Sequence, residues 1–457
     1  MKILALAYVY PPDAGSGTYR SLYFLNHLAV HGEQITVITA REEDFSHTAN
    51  RDRELMSLVN PRITVLRAAV RRPVESLLRW RDRLRQPGAP PSPAATTATA
   101  ATAKSAPSQP PVRGLGQSLK DAVTTALTFP DEHVGWIPDV LRIAARTIAS
   151  EHIDCIYSSG GPWSSHLAAA LIKKKHGVPL VLDFRDPWAS NPDLAPRSRM
   201  VRAASRWLEG FCVRAADQIT LNTVSLRDDF IRRYPGMGQA KFTTITNGFE
   251  EVPLAPKAAR GSAFTLVHAG EIYLSRNPGP FLRAVLGLIQ RGDIGAGELK
   301  VQLVGGCSRT AQIDALLSTQ ELRGVVEIMP RVSHKEALQY QMQADALLLF
   351  QTGFPLQVPR KIFEYMSLMK PVLAIAEGDS ATARIVEDSK VGVVAEQNVE
   401  SITSAVLQLH RSWRSGGEST LERAAILKYR NDQLAARLGD VMRTASGLAP
   451  TAEAKPC

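Results

Sequence analysis

The chain has 457 residues, of which 44% are hydrophobic, and this length corresponds to two or three folded domains at about 150 residues each. Lys and Arg outnumber Asp and Glu by 54 to 44, so the net charge of +10 suits an anionic partner without choosing among nucleotides, phospholipids and nucleic acids. The composition excludes a disordered chain, and no apolar run reaches the roughly 18 to 20 residues that span a bilayer.

The first 40 residues predict a βαβ unit. Residues 2–10 form an apolar, β-prone run, which we interpret as a first strand rather than a signal peptide because no small-residue cleavage site precedes Pro11. A glycine-containing turn follows at 11–17, apolar residues then recur at helical spacing as far as Gly32, and residues 34–39 form a second β-prone run. This succession is typical of a parallel sheet with helices on its faces.

The alternation of predicted strands and helices stops between residues 67 and 112. Residues 67–85 hold seven arginines against Glu75 and Asp82, a net charge of +5, and their apolar residues fall near one face of a helix. Such a segment is either a basic amphipathic helix that lies on an anionic bilayer or a solvated helix. Residues 86–112 are mostly Pro, Ala, Thr and Ser, which predicts a disordered, exposed insertion.

The alternation of strands and helices then resumes and continues to the end of the chain. Strands are predicted at 155–157, 179–184, 264–269, 300–304, 346–350 and 372–376, with helices at 164–176, 278–290, 309–318 and 400–411. We therefore predict an α/β protein of two doubly wound, Rossmann-like domains that face a central cleft, where the strands end. The predicted parts are domains at 1–250 and 264–428, a linker at 251–263, a helix at 429–446 that returns to the first domain, and a tail at 447–457.

The first candidate site is the turn that holds Gly15 and Gly17. Glycines between a strand and a helix let the backbone approach a ligand, and the free amides there favour an anion. The dinucleotide fingerprint would need a third glycine where Arg20 stands, so NAD binding is disfavoured, although Glu42 near the end of the second strand leaves it open. A turn that needs glycine only for its geometry is the alternative.

Two further candidates follow strands of the first domain. His166 lies early in a helix, on the crevice side, and is either functional or a structural hydrogen-bonding residue; no nucleophile elbow accompanies it, so hydrolase chemistry has little support. Asp183, Arg185, Asp186 and Trp188 cluster at a strand end. They could bind sugar hydroxyls and a ring face, or an Arg–Asp pair could simply fix the loop.

The most informative segment of the second domain follows the strand at 346–350. Pro359 suits the first position of a helix, so Arg360 and Lys361 would lie at a helix N-terminus, where cations are unfavourable unless an anion binds there. Glu364 would lie on the same side of the helix. It could bind a ligand hydroxyl or form an ordinary ion pair with Lys361.

A glycine and a cation, Gly270 and Arg276, also follow the first strand of the second domain. Gly270 mirrors the glycine loop of the first domain, and Arg276 is a second candidate cation for a diphosphate. The chain contains no Asp-x-Asp sequence, so a diphosphate held through a metal on that motif is not expected.

Taken together, these motifs resemble the family 4 retaining glycosyltransferases of the GT-B fold, bacterial enzymes of cell-surface polysaccharide assembly. The resemblance covers most of the chain except the insertion and the last dozen residues. Its motifs are Pro11-Pro12-x-x-Gly15-x-Gly17, Phe129-Pro130-Asp131 with Gly135-Trp136, the stretch from Ser159 to His166, Asp183-x-Arg185-Asp186-x-Trp188, Asn247-Gly248, His268-x-Gly270 and Pro359-x-Lys361-x-Phe363-Glu364-Tyr365.

The resemblance implies transfer of a hexose from a nucleoside diphosphate sugar to an acceptor hydroxyl with retention at the anomeric carbon, without a metal or other cofactor. Gly17 would lie near the donor diphosphate, His166 would contact the transferred sugar, and Glu364 would bind the ribose of the nucleotide. The catalytic candidates are thus Gly17, His166 and Asp186, and the donor-binding candidates are Gly15, Gly270, Arg276, Arg360, Lys361 and Glu364.

The chain also departs from the family pattern. Glu364 matches the second glutamate of a Glu-x7-Glu motif, whereas the first falls on Leu356, so backbone amides of residues 353–356 would replace it. The usual Arg and Lys after the first strand of the second domain become Glu271 and Arg276.

The expected partners are a nucleotide sugar and a polyprenyl-diphosphate-linked acceptor, with a peripheral membrane contact through residues 67–85. The expected location is the cytoplasm, at the inner face of the cell membrane, which the four scattered cysteines of a reduced chain also suit. Nucleic-acid binding is not expected. The alternatives are a nucleotide-sugar 2-epimerase and a non-catalytic protein that binds nucleotide sugars.

Overall fold

A computed structural model describes residues 1–45, 51–72, 127–195, 197–251, 261–272, 276–307, 309–416 and 421–450. Several sequence predictions lie outside these described residues. They concern the insertion at 86–112, residues 73–85 of the arginine-rich segment, residues 252–260 of the linker and residues 451–457 of the tail.

The first sheet comprises seven strands of the described chain: β1 (Lys2–Leu6), β2 (Gln34–Ala40), β3 (Thr64–Ala68), β4 (Cys155–Gly160), β5 (Leu180–Phe184), β6 (Gln218–Leu221) and β7 (Phe242–Thr244). All are parallel, in the spatial order β3-β2-β1-β4-β5-β6-β7. The order reverses between β1 and β4, which opens a crevice at the carboxyl ends of these strands. The helices are α1 (Ser16–Val30), α2 (Ile137–Ser150), α3 (Trp163–His176), α4 (Arg199–Ala215) and α5 (Val224–Arg233).

The second sheet is built in the same way from β8 (Phe264–Ala269), β9 (Leu299–Val304), β10 (Val326–Met329), β11 (Ala346–Gln351), β12 (Val372–Ala376) and β13 (Gly392–Ala395). Its order is β10-β9-β8-β11-β12-β13, so the crevice opens between β8 and β11. The associated helices are α6 (Gly279–Gln290), α7 (Ala311–Leu317), α8 (Gln320–Arg323), α9 (His334–Gln343), α10 (Lys361–Ser367), α11 (Ala381–Ser389) and α12 (Val399–Arg414).

Burial of the central strands explains why these sequences form parallel sheets. Every residue of β4, β5, β11 and β12 is buried, as expected for strands covered by helices on both faces. The predicted α/β fold with two doubly wound domains is confirmed. β4 is longer than the predicted strand at 155–157, because its pairing with β5 continues as far as Gly160.

The chain ends with α13 (Arg423–Leu427) and α14 (Asn431–Ala445), and α14 returns to the first domain. Leu434, Leu438 and Met442 are buried in the core that α1, β1 and β2 also build. The crossing is fixed by two backbone hydrogen bonds, from Phe249 N to Tyr429 O at 3.1 Å and from Asn431 N to Phe249 O at 3.0 Å. The predicted returning helix is therefore confirmed.

The prediction that a helix begins at residue 67 is wrong. Arg67 lies in β3, where its guanidinium donates to Ala40 O at 3.1 Å and to Pro11 O at 2.9 Å. Val70, expected on the apolar face of that helix, is instead buried in the core of the first domain. Pairing of β3 with β2 along the whole strand takes precedence over the local helical pattern.

A buried ion pair between Arg20 and Asp183 connects several elements of the first domain. The guanidinium donates twice to the Asp183 carboxylate, at 2.7 and 2.8 Å, and also to the Ile245 and Thr246 carbonyl oxygens. The hydroxyls of Tyr157 and Thr220 donate to the same carboxylate at 2.8 and 2.7 Å. Burial opposes ionisation of Asp183, but the charge and hydrogen bonds of Arg20 outweigh it and hold the Asp183 pKa below its usual range.

Removing one member of this pair should strongly destabilise the first domain. We expect Asp183→Asn to lower the free energy of unfolding by about 3–5 kcal/mol, because the Arg20 charge would stay buried without its partner. Urea unfolding followed by circular dichroism measures the change, with Asp193→Asn, at an exposed site, as the control. A loss below about 1 kcal/mol, the range of an exposed pair, would contradict a buried, fully paired network.

Candidate active site

The carboxyl ends of the two sheets face each other across the cleft. The guanidinium carbon of Arg360, next to α10, lies 3.7 Å from the centroid of the Tyr19 ring in α1. The Thr223 hydroxyl of the first domain donates to Leu356 O of the second at 2.8 Å. These contacts bring the glycine turn before α1 to the segment that precedes α10, so the predicted residues of both domains border one site.

Gly15 and Gly17 form the edge of this site in the first domain. The Asp13 carboxylate accepts from the Gly15 amide at 2.6 Å and from the Thr18 hydroxyl at 3.2 Å, which shapes the turn before α1. At Gly17, a Cβ atom would lie only 1.8 Å from Nη1 of Arg185. Glycine is therefore needed here because a cation packs directly against the backbone.

Arg185 is a site residue whose position the sequence did not reveal. Its guanidinium donates to Gly160 O at 3.1 Å and to Gly161 O at 2.8 Å, so it joins the loops after β1, β4 and β5. The possible Arg–Asp pair within 183–188 is not formed, since Asp183 pairs with Arg20. Asp186 follows Arg185 at the same edge and is half-buried.

Trp188 does not offer a free face to a sugar ring. Its side chain is 1% exposed and stacks on Trp163 at 5.2 Å with an angle of 3° between the rings. The aromatic residue therefore belongs to the packing beneath the site, which corrects the interpretation of Trp188 as a ligand platform.

His166 is fully buried next to the crevice. Its Nδ1 lies 2.9 Å from the Ser158 hydroxyl, and a Cβ on Gly160 would lie 2.4 Å from its Nε2. Nε2 has no hydrogen-bond partner within the described part of the chain. Burial lowers the pKa of His166 to about 3, so the ring is neutral and offers this nitrogen as a hydrogen-bonding atom rather than as an acid.

Lys361 and Arg276 bring positive charge to the glycine edge of the second domain. Gly270 has φ +130°, and a Cβ added there would lie 1.7 Å from the Lys361 Nζ atom, so the ammonium packs against bare backbone. Arg276 donates to Gln351 Oε1, at the end of β11, at 3.1 Å. Burial, followed by the nearby charge of Arg276, lowers the pKa of Lys361 to about 8.

The positions of Pro359 and Arg360 differ from the prediction. α10 begins at Lys361, Arg360 is its N-cap, and Pro359 therefore precedes the helix instead of occupying its first position. The Arg360 charge lies over the Tyr19 ring and joins the two domains. The helix has only seven residues, so the charges of the side chains matter more here than its dipole.

Glu364 lies on α10 with a side chain that is 21% exposed. Its Oε1 lies 3.7 Å from His334 Nδ1. The negative charge of Glu364 also raises the pKa of Lys361, but by less than burial or the charge of Arg276 lowers it. The carboxylate is thus held near the cation pair while part of it stays accessible.

The position of the missing first glutamate has a structural role. Leu356 packs against the core of the first domain, and its carbonyl oxygen accepts the Thr223 hydrogen bond. The amide of Gly353, expected to face the donor sugar, instead donates to Glu377 Oε1 at 2.7 Å. Glu377 directly follows β12, and this position after a strand is the one signal in the sequence that could have indicated it as a site residue.

Two facing doubly wound domains with a site at their carboxyl edges define the GT-B fold. A glycosyl transferase 4-like domain matches residues 15–248, and a glycosyl transferases group 1 domain matches residues 263–412. The chain therefore belongs to the family 4 glycosyltransferases of the GT-B fold, as its motifs predict, and it is an enzyme of that class.

Solved structures share this fold at low sequence identity. HepE from Anabaena, in complex with UDP and glucose, is 14% identical with a TM-score of 0.56, over 97% of this chain and 100% of that one. The lipopolysaccharide outer core galactosyltransferase WaaB is 10% identical with a TM-score of 0.57, over 97% and 99%. A putative UDP-N-acetylglucosamine 2-epimerase from Listeria monocytogenes is 11% identical with a TM-score of 0.53, over 97% and 96%. No curated protein matches the chain in sequence.

The described residues contain no group of three His, Cys, Asp or Glu side chains that could hold a metal ion. No helix in these parts of the chain is sufficiently long and apolar to cross a bilayer.

The lowered pKa of Lys361 predicts a pH dependence for UDP binding. Lys361 is protonated below about pH 8, so we expect full affinity for UDP near pH 7 and a progressive loss as the pH rises through 8 and the ammonium is neutralised. Calorimetry between neutral and alkaline pH measures this. Lys361→Arg keeps its charge over that range, and an identical pH profile in this variant would contradict the role of Lys361.

The close approach of Arg185 to Gly17 predicts a severe effect of a single methyl group. Gly17→Ala should displace the guanidinium and lower the rate of glycosyl transfer by about 100-fold, as a misplaced site group can do, while the fold is kept. Turnover and thermal unfolding are compared with those of Gly324→Ala, at a position with open space. Turnover unchanged in Gly17→Ala would show that Arg185 has no part in the reaction.

Proposed function

We propose that this enzyme is a retaining glycosyltransferase that transfers a hexose from a nucleoside diphosphate sugar to an acceptor hydroxyl in the synthesis of exopolysaccharide or lipopolysaccharide. The observation that carries donor binding is the packing of Lys361 against Gly270, with Arg276 as the neighbouring charge that influences Lys361 most, ahead of the carboxylates of Glu364 and Glu271. A buried ammonium beside a second cation is costly unless an anion neutralises them. The complex of HepE with UDP supports a nucleoside diphosphate as that anion.

The donor diphosphate would occupy the space between the two glycine edges. Lys361 and Arg276 contact it from the second domain, and Arg185 with the backbone at Gly17 approaches from the first. Negative charge grows on the diphosphate as the sugar departs, and fixed cations stabilise that charge without a metal ion. Their positions are set before the reaction by packing against backbone, so little reorganisation is needed.

The nucleoside and the sugar would be recognised by carboxylates. Glu364 accepts hydrogen bonds from the ribose hydroxyls, which suits its partly exposed position on α10. Leu356 cannot bind the sugar hydroxyls in the way a glutamate would, and Glu377 brings a carboxylate to the same loop from β12. We assign to Glu377 the role of the missing glutamate.

The reaction would proceed without a protein nucleophile. A departing phosphate oxygen takes the proton from the acceptor hydroxyl on the face that the leaving group vacates, which retains the anomeric configuration. His166, being neutral, contributes a hydrogen bond to the transferred sugar through Nε2. Asp186, at the end of β5, lies on the acceptor side of this centre.

The acceptor would be a sugar linked to a polyprenyl diphosphate, which places the enzyme in the cytoplasm at the inner face of the membrane. The likeness to WaaB, a lipopolysaccharide galactosyltransferase, is in keeping with such an acceptor. The arginine-rich residues between 73 and 85 would add attraction to anionic lipid.

Glu364 provides a direct test of the nucleotide site. Glu364→Ala should weaken UDP binding by about 10- to 100-fold, because hydrogen bonds to a charged group are lost. Calorimetry measures the affinity, with Glu387→Ala, at an exposed position of α11, as the matched control. Equal affinities for the two variants and the unaltered protein would refute the ribose role of Glu364.

The reaction itself is tested with nucleotide sugars and lipid-linked acceptors. A thermal-shift screen identifies the donor, and proton NMR of the product shows whether the anomeric configuration is that of the donor. Inverted configuration would overturn the retaining mechanism. Conversion of the donor sugar without any acceptor would instead identify a 2-epimerase, and UDP-sugar binding without turnover would identify a non-catalytic binding protein.

A further inference from the structure

The outer face of α4 is unusually apolar for a surface helix. Met200 is 83% exposed and Trp207 is 65% exposed, more than any other large hydrophobic side chain among the described residues. Both lie on the side opposite Ser205, Cys212 and Val213, which are buried in the first domain. The inner face of α4 thus explains its place in the fold, while the exposure of Met200 and Trp207 is left without a structural role.

Positive charge accompanies these two side chains. Arg199, Arg206 and Arg214 are exposed and recur at intervals of seven and eight residues, so they form a row of their own along the helix, next to the row of Met200 and Trp207. We define the α4 face as these five residues. Its length from Arg199 to Arg214 is roughly 22 Å at the rise of an α-helix.

The neighbourhood of the α4 face strengthens its charge. Lys174 of α3 lies 5.1 Å from the centroid of the Phe211 ring, and that ring stacks on Trp207 at 6.3 Å. The single acidic residue of α4, Glu209, is buried and pairs with Arg233. Thus no carboxylate within α4 neutralises the exposed arginines.

We propose that the α4 face docks on an anionic lipid bilayer. A helix that lies flat with arginines beside Trp and Met matches the interface of a bilayer, where the apolar side chains enter the headgroup region and the cations meet anionic lipids. A protein partner of matching shape would need its own acidic patch, whereas a bilayer offers negative charge along the whole 22 Å or so.

The position of α4 connects this surface with the reaction. The segment between β5 and α4 starts with Arg185 and Asp186, so the amino-terminal end of α4 lies on the cleft side of the first domain. Docking would bring the acceptor side of the cleft close to the membrane surface. The inference thus deepens the proposed use of a lipid-linked acceptor, but the membrane contact itself is independent of that reaction.

Sedimentation with vesicles tests the proposal on the full-length protein. The vesicles contain either phosphatidylcholine alone or phosphatidylcholine with phosphatidylglycerol. We expect binding only to the anionic vesicles, weakened about tenfold or more by combining Met200→Ser with Trp207→Ser. Replacing Arg199, Arg206 and Arg214 by Gln should weaken it roughly fivefold per arginine.

A matched control separates the α4 face from net charge. Replacing the exposed Arg323, Arg411 and Arg414 of the second domain by Gln removes the same charge and should leave binding unchanged. Equal losses in the two arginine variants, or no loss in the Met200 and Trp207 variant, would overturn the proposal. Loss of binding only when Arg79, Arg81, Arg83 and Arg85 are replaced by Gln would also overturn it, by assigning the contact to that segment.

Measurement of UDP affinity separates a failure of the membrane proposal from a failure of the enzymatic proposal. The α4 variants should bind UDP as the unaltered protein does, because none of the five residues belongs to the donor site. Absence of vesicle binding in an unaltered protein that binds UDP normally would overturn the membrane surface and leave the enzymatic proposal standing. Capture of an acidic protein in place of lipid would have the same effect.

Discussion

The geometry of the first domain depends on the buried ion pair between Arg20 and Asp183. Arg20 belongs to α1, Asp183 to β5, and the groups that complete their hydrogen bonds come from β4, β6 and the segment after β7. A guanidinium and a carboxylate can stay charged in a protein interior only when nearly all their hydrogen bonds are formed. The pair therefore fixes the spacing of the strand ends around the crevice, and Gly17 and Arg185 derive their positions from it.

The two domains position their cations at the candidate site in different ways. In the first domain, Arg185 is immobilised by carbonyl oxygens of Gly160 and Gly161, so the loop backbone positions a permanent cation. In the second domain, Lys361 is buried beside another cation, and its charge depends on pH. The first domain thus offers a permanent cation and the second domain a cation whose charge depends on pH. An anion bound by both domains would be held most strongly when Lys361 is protonated.

Much of the architecture could be predicted from the sequence because parallel strands and their helices carry strong local patterns. Gly270 followed from the rule that ligands bind at strand ends, and Lys361 from the electrostatic cost of a cation at a helix N-terminus. What could not be predicted depended on partners distant in the chain: Arg20 and Asp183 are 163 residues apart. Likewise, Arg360 faces Tyr19 of the other domain, and pairing of β3 with β2 overrides the helical pattern at Arg67.

The return of α14 has a consequence for how the protein is made. Leu434, Leu438 and Met442 complete a core whose other side chains come mostly from the first 40 residues and from β4 and β5. A ribosome finishes the second domain before it supplies these residues. The first domain is therefore the first to be synthesised and the last to have its core completed. Until α14 is synthesised, the apolar side of α1 that it covers remains uncovered. In such an arrangement, the two domains mature in the reverse of their order along the chain.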